Sequence, residues 1–343
     1  MPVKLSSALK KKLGSPGVST STQEYERILE EARTLDPGSR SGQQTQFNNH
    51  YYNLVTDFFE YGWGKSFHFA PRLPGEGFKA SLARHELNMA KALQLGPGMV
   101  AADLGCGVGG PLMAIARATG ASIVGVNVNE YQLDQARSAV RQEGLSHLAD
   151  FLQCDFLNVD AADESFDAIY SIEASCCAPD KFGIYSEAFR LLKPGGRFGA
   201  YEYCMTDRFD PQDPHHLQVK ADLQLGGGLL VIDDPDTVKI ALAEAGFEVL
   251  EARDLAIQTG PSIPWYQPLV GSGLSLASFR SSSVGRKVTD ITVRTLEALH
   301  IAPRGTFHVV KTLDLCADAM VEAGRLGIFT PMYFILAQKP RQE

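Results

Sequence analysis

The sequence predicts an α/β fold, a Rossmann-like and mostly parallel sheet with helices on both faces. Three observations carry that prediction. From about residue 98 onward, near-continuous apolar strand segments alternate with amphipathic helical ones, as in a sheet covered on both sides. A glycine-rich turn, AADLGCGVGGP beginning at Ala101, joins the first of those strands to the helix after it. The 343 residues, with 44% apolar and 21% charged content, are also ample for a full core.

The elements follow in order. MPVKLSSALKKKLG is a basic, solvated tail without the apolar centre of a signal peptide. Residues 14–22 (GSPGVSTST) and 35–46 (LDPGSRSGQQTQ) read as linkers, with QEYERILEEAR between them as a short charged helix. Residues 58–69, FFEYGWGKSFHF, are aromatic at six of twelve positions, in a chain whose aromatic content is 9%. MVAADLG is then a strand entering the glycine turn, GPLMAIARAT a helix, SIVGVNV a strand and EYQLDQARSAVRQEG a helix. ADFLQCDF, FDAIYSIEA and RFGAYEYC continue as strands, with DKFGIYSEAFRLLK a helix between the last two. LLKPGGRF (191–198) reads as a helix end, a glycine-containing turn and a strand. After EAGFEVLEARDL, helical stretches fill about 265–327, and TPMYFILAQKP is a last strand.

Composition excludes several classes. A net charge of −8 argues against a nucleic-acid partner, which demands a basic face. Cys106, Cys154, Cys176, Cys177, Cys204 and Cys316 form no CxxC pair and no zinc spacing, which points to a reduced intracellular compartment. His215-His216 has no cysteine or carboxylate at ligand spacing, so no metal is expected. No stretch reaches the ~18 apolar residues that span a bilayer, so the expected state is cytosolic or peripheral on a membrane.

Gly105, Gly107 and Gly110 satisfy G-x-G-x-x-G, which any Rossmann-like loop uses to bring backbone close to a ligand at a helix N-terminus. By itself the pattern would serve an NAD-dependent oxidoreductase equally well. Three polar strand ends turn the reading elsewhere. Asp103, two residues before the first glycine, is suited to the charge and hydrogen bonds of an amino-acid moiety. Asn127 stands where a dinucleotide fold has its ribose-binding Asp or Glu, about 20 residues on. Asp155, at the end of the third strand, suits an adenine amino group. This is the constellation of a class I S-adenosylmethionine-dependent methyltransferase. A lipid carrier on the same fold would show a degraded cofactor site instead.

With those stretches in place, the chain resembles the sterol 24-C-methyltransferase family over roughly residues 45–340. The aromatic run is similar to that family's sterol-binding signature, and GCGVGGP, NEYQ, APDK, YEYCMTD (from Tyr201), PWYQPL and FTPMYF are similar too. The resemblance implies a class I methyltransferase fold, with a seven-stranded sheet, an antiparallel last strand, an N-terminal lid and a C-terminal helical substrate-binding addition. It implies a tail and linker (1–46), an aromatic lid segment (47–97), an S-adenosylmethionine-binding core (98–256) and a substrate region ending in the last strand (257–343). For the cofactor it implies Ser66, Asp103, Gly105, Gly107, Asn127, Gln132, Asp155 and Phe156, with S-adenosylhomocysteine as product and no metal.

The implied chemistry explains the aromatic run. An isolated alkene attacks the sulfonium methyl and leaves a tertiary carbocation, which water would intercept. Ring faces exclude water and stabilise a cation, by ~2 kcal/mol or more per desolvated ring, beside the ~1.4 kcal/mol of a tenfold rate change. Tyr61, Trp63, Phe67 and Phe69 are the candidates, with Trp265 and Tyr266 of IPWYQP as further walls. A base must then remove a proton after a hydride shift, and Glu60, His68, Glu173 and Glu202 are candidates for that role or for electrostatic support. Two departures bear on the substrate. Cys177 in EASCCAP replaces a family histidine, and Gly226-Gly227-Gly228-Leu229-Leu230 replaces the usual Gly-Asp-Gly-Leu-Pro. Either they are neutral in a sterol enzyme, or they suit a substrate without a hydroxyl, such as squalene or another linear triterpene. The implied partners are that lipid and a membrane contacted peripherally, at the endoplasmic reticulum or a lipid body; a homo-oligomer is compatible.

Overall fold

The computed structural model describes residues 41–257, 263–270, 283–299 and 306–341. The tail and the predicted helix QEYERILEEAR lie outside them. The elements are α1 (Ser41–Gly62), α2 (Phe78–Ala92), β1 (Val100–Leu104), α3 (Gly110–Thr119), β2 (Ser122–Asn127), α4 (Glu130–Gln142), β3 (Ala149–Gln153) and β4 (Phe166–Ile172). They continue as α5 (Lys181–Leu191), β5 (Leu192–Met205), α6 (Pro214–Gly227), α7 (Pro235–Glu244), β6 (Glu248–Asp254), α8 (Gln267–Val270), α9 (Ser283–Ala298), α10 (Thr306–Leu326) and β7 (Phe329–Gln338).

Two compact units interleave along the chain. One comprises Trp63–Asp210, Val231–Trp265 and Leu326–Glu343; the other comprises Met1–Gly62, Pro211–Leu230 and Tyr266–Arg325. The first contains a seven-stranded sheet of order β3-β2-β1-β4-β5-β7-β6. Its strands β1 to β5 pair in parallel, and β7 runs antiparallel between β5 and β6. Side chains alternate between two cores, as the pleat requires. Ala101, Ala168 and Phe334 pack with α2, α3 and α4, while Ala102, Ile169 and Ile335 pack with α5 and α7. The strand order reverses direction between β1 and β4, which opens a crevice at the carboxyl ends of those strands.

Two expectations are corrected. Residues 41–46, read as linker, are the first turns of α1. Gln is a good helix former, and Tyr51 and Val55 further along bury one face at i,i+4 spacing. Residues 192–196, read as a turn, belong to β5. Phe166 pairs with Leu192 but Ala168 with Arg197, so a bulge absorbs the Lys-Pro-Gly-Gly stretch inside the strand.

The second unit is helical among the described residues. Its α6 and α10 meet through Gly226, where a Cβ would lie 2.6 Å from the Cys316 backbone nitrogen. The Tyr51 hydroxyl of α1 donates to the Gly226 carbonyl at 3.0 Å. His215 on α6 faces Glu322 of α10 at 3.1 Å, a carboxylate far from it in sequence.

Candidate active site

On one side of the crevice stand the polar strand ends. Asp103, next to last in β1, is 2% exposed. Its Oδ2 and the hydroxyl of Tyr170, opposite it in the β1–β4 register, do not complete a hydrogen bond, although Tyr170 pulls the carboxyl's pKa down against the burial. Burial pushes the Asp103 carboxyl up to about 7. A buried carboxylate with an orphaned oxygen fits an ammonium group, whose charge would offset the cost of desolvation. The glycine turn follows directly. Gly105 has φ +82°, and a Cβ there would sit 2.3 Å from that of Ala174; Gly107 has φ +54°, with no protein atom near the place of a Cβ. The first is therefore held by packing as well as conformation, the second by conformation.

Asn127 closes β2. Its Nδ2 donates to Gln132 Oε1 at 2.8 Å, so these two cofactor candidates meet. Asn129 caps α4 by accepting from the Gln132 backbone N–H at 2.9 Å, which fixes the turn carrying both. Asp155 lies just past β3 and accepts from Leu157 N at 2.9 Å, and Phe156 packs against the core. Ser66 sits at the start of α3, where a Cβ on Gly110 would lie 2.7 Å from its backbone nitrogen.

Across the crevice, just after β4, stands Glu173, in the left-handed region at φ +54°. Its Oε1 accepts from the Phe69 backbone N–H at 2.6 Å and its Oε2 from the Tyr203 hydroxyl at 2.9 Å. Burial pushes its carboxyl up to about 8, against the opposing pull of His68 and these two donors. His68 is buried beside it. Its Nδ1 lies 2.8 Å from the Phe69 carbonyl oxygen and its Nε2 3.0 Å from Glu86 Oε1. Full burial opposes its charge, but Glu86 and Glu173 together leave its pKa raised.

The aromatic residues form a chain of edge-to-face contacts that ends on Glu173. Trp63 meets Phe67, Phe69 and Phe78 at centroid separations of 5.6, 5.3 and 5.1 Å. Phe69 meets Trp265 at 5.1 Å, Trp265 meets Phe329 at 5.9 Å, and Phe329 meets Tyr203 at 5.4 Å. The Trp63 indole N–H donates to the His68 carbonyl at 3.0 Å, fixing the loop. The bridge between Arg72 and Ile263 brings the two aromatic segments alongside. Phe67 remains 37% exposed at one end.

Other candidates stand apart. Glu202 is fully buried, accepting from Lys181 Nζ at 3.1 Å, from the Tyr185 hydroxyl at 2.9 Å and from the Ser175 hydroxyl. Cys177 is buried in the short 3₁₀ turn Ser175–Cys177 that this network supports. Glu60, Tyr61, Gly227 and Tyr266 belong to the helical unit. There Tyr266 packs on Gly324, where a Cβ would lie 2.2 Å from its ring. The side chain of Tyr61 lies outside the described atoms. Among the described residues no three His, Cys, Asp or Glu side chains gather at a metal-binding spacing, and no helix is long and apolar enough to cross a membrane.

Sequence reasoning missed Glu86, Tyr203 and Phe329. Glu86 carries the clearest signal, a carboxylate on the apolar face of α2 shared with Leu82 and Met89.

Comparison with known proteins agrees with this geometry. Residues 102–200 match the family described as methyltransferase domain, and residues 276–341 match sterol methyltransferase C-terminal. Among solved structures, the mycolic acid cyclopropane synthase CmaA1 superposes with a TM-score of 0.65 at 17% identity, over 85% of this chain and 96% of that one. At that identity the likeness speaks for the fold, a class I methyltransferase sheet. The sterol 24-C-methyltransferase ERG6 of Saccharomyces cerevisiae is 43% identical over 84% of this chain and 77% of its own. The cycloartenol-C-24-methyltransferase of Arabidopsis thaliana is 43% identical over 98% of this chain and 99% of its own. Likeness of that depth along nearly the whole length makes the chain a member of the sterol 24-C-methyltransferase family, S-adenosylmethionine-dependent C-methyltransferases by class.

Proposed function

We propose that this chain methylates the side-chain alkene of a sterol at C24, through a carbocation that then loses a proton. The observation that carries the reading is the aromatic chain Phe67–Trp63–Phe69–Trp265–Phe329–Tyr203 and its end at Glu173, across the strand switch from Asp103. S-adenosylmethionine, when bound, supplies an electrophilic methyl group on a sulfonium.

The residues divide the work. Asp103 binds the amino-acid moiety, Asn127 with Gln132 orients the ribose, and Asp155 with Phe156 holds the adenine. Gly105 and Gly107 let the backbone approach, and Ser66 closes that side. Trp63, Phe67, Phe69 and Trp265 exclude water and offer ring faces to the cation. Glu173 takes the proton. It does so in its ionised form, and the burial that raises its pKa to about 8 makes the carboxylate a stronger base. Glu202, bound to Lys181, supports the Cys177 turn, and His68, buried beside Glu173, acts around the base. The reaction runs without a metal. A membrane-lipid substrate puts the protein peripherally on a membrane, at the endoplasmic reticulum or a lipid body, alone or as a homo-oligomer.

The test is methyl transfer from labelled S-adenosylmethionine to cycloartenol, zymosterol, desmosterol, squalene and botryococcene, with products identified by mass spectrometry. Turnover of a 24-alkene sterol without squalene supports the reading and makes Cys177 and Gly227 tolerated variation. The departure at Cys177 favours a second reading, a linear triterpene, and turnover of squalene alone would establish it. No methylation of any alkene, with the cofactor still bound, would sink the substrate class.

A further inference from the structure

Glu173 must ionise to act as a base, yet burial favours its neutral form. A fixed positive charge beside it would oppose that, and the hydrogen bonds of His68 show where such a charge sits. Its Nδ1 lies 2.8 Å from the Phe69 carbonyl oxygen, which can only accept, so that nitrogen holds a proton. Its Nε2 lies 3.0 Å from Glu86 Oε1, and an ionised carboxylate is likewise acceptor-only. A histidine ring with an acceptor at each nitrogen is an imidazolium. Three buried carboxylates lie within its field: Glu86 on α2, Glu173 after β4 and Asp103 on β1. His85, also on α2, has its ring 5.7 Å from that of His68; burial, then the charges of His68 and Arg84, hold its pKa well below the usual range. The groups facing Glu173 itself are His68, the Phe69 N–H and the Tyr203 hydroxyl.

We propose that Glu86 locks His68 as an imidazolium, and that this fixed charge lets Glu173 ionise and serve as the base; the proposal rests on the assignment of Glu173 above. Glu86 and His68 touch no reacting atom and pass no proton to Glu173; they are positioning residues. Because Glu86 balances the imidazolium, the pair adds no net charge that would repel an incoming sulfonium. Of the two, His68 is the one whose charge acts on Glu173. Placement follows from the same contacts. Phe69 is held at its carbonyl by His68 and at its N–H by Glu173 Oε1, 2.6 Å away, while its ring packs on Trp63 and Trp265. The imidazolium and the carboxylate are thereby fixed on either side of one residue.

Glu86→Gln is the decisive variant, because a carboxamide keeps a partner at Nε2 and removes the negative charge. Nitrogen-15 NMR of the histidine-labelled, cofactor-free protein reads the ring, with His68 assigned by its loss in His68→Asn. At pH 7 both wild-type His68 nitrogens are expected at imidazolium shifts; in Glu86→Gln, Nε2 moves to the shift of an unprotonated imidazole nitrogen. The base is read from kcat/KM against pH for cycloartenol, or for whichever alkene of the panel turns over. Its midpoint, about 8 in wild type, rises in Glu86→Gln by about 1–3 units, the effect of losing an opposite charge close by. The rate at pH 7 then falls by about 10-fold or more, tenfold for each unit. Glu86→Asp keeps the charge and returns the midpoint most of the way to wild type. A lower rate with an unmoved midpoint overturns the proposal and leaves Glu86 a structural residue; a neutral His68 in wild type overturns it as well. If Glu86→Gln does not fold, the double variant Glu86→Gln/His68→Asn, which leaves no charge unpaired, is read for the same midpoint. A Glu173→Gln variant with the wild-type pH profile overturns the proposal through its premise, and imidazolium shifts at His68 would then place the failure with the base.

Discussion

Replacing Asp103 by Asn is expected to make the free protein more stable and to remove its binding of the cofactor's ammonium group. The carboxyl is 2% exposed, its Oδ2 lacks a partner, and burial moves it from 3.8 to about 7. A raised carboxylate pKa gives stability that is complete below the unfolded value and lost as pH rises through the folded one. Here the window is from pH 3.8 to about 7. Three units at about 1.36 kcal/mol each put the cost above neutral pH at roughly 4 kcal/mol. Asn has the same shape and no charge, so Asp103→Asn escapes that cost. Calorimetry of the cofactor-free protein at pH 8 is expected to give a Tm several degrees above wild type, at about 2–4 °C per kcal/mol for a unit of this size. At pH 5 the gain shrinks to less than half. Wild type gains thermal stability from S-adenosylhomocysteine; the variant gains little, because a charge-assisted hydrogen bond contributes about 1.5–3 kcal/mol. A variant no more stable than wild type at pH 8, or still stabilised fully by the product, would refute the reasoning.

Four further outcomes are expected. Raising pH through about 8 increases wild-type kcat/KM as Glu173 ionises in the free protein, and a pH–rate series on Glu173→Gln is flat at a far lower level. Glu202→Gln leaves Lys181 buried without its counter-charge and costs about 3–5 kcal/mol in urea unfolding, while the rate per folded molecule stays within a few-fold of wild type. Trp63→Ala lowers kcat more than it weakens S-adenosylhomocysteine binding by calorimetry, because its ring packs among Phe67, Phe69 and Phe78 and not at a strand end. Gly227→Asp folds normally, within about 0.5 kcal/mol of wild type, since the nearest atom to a Cβ there is 3.4 Å away; repeating the substrate panel on it reads what the missing carboxylate does.

The middle of the sheet was legible because β1, β4, β7 and the second half of β5 are buried on both faces and carry nearly continuous apolar runs. The polar strand ends at the crevice were legible for a related reason. Asp103, Asn127 and Asp155 interrupt those runs where they end, and a polar interruption at a fixed place stands out. What stayed hidden depends on packing between distant segments. Glu86 looks in sequence like one more solvated glutamate on a helix, and acquires its place once α2 brings it to His68. Phe58–Phe69 reads as one continuous aromatic patch, yet the chain passes from α1 into a loop within it, and the two parts belong to different units. Trp265 and Tyr266, adjacent in sequence, separate in the same way. Glu202 and Glu173 could not be told apart as acids; their neighbours, Lys181 for one and Tyr203 for the other, distinguish them.

The insertion of β7 between β5 and β6 has a consequence for how the protein is made. Met205 pairs with Phe329, so β5 leaves the ribosome long before the strand that will cover its open side. Until β7 arrives, β5 and β6 each expose a row of unsatisfied N–H and C=O groups, the surfaces through which nascent chains associate wrongly. The sheet therefore closes late, by a contact of long sequence separation, and such contacts form slowly. Every residue of β7 but the last is buried. Damage to this strand should consequently be seen first as lost yield and insoluble protein, and only secondarily as lost methylation.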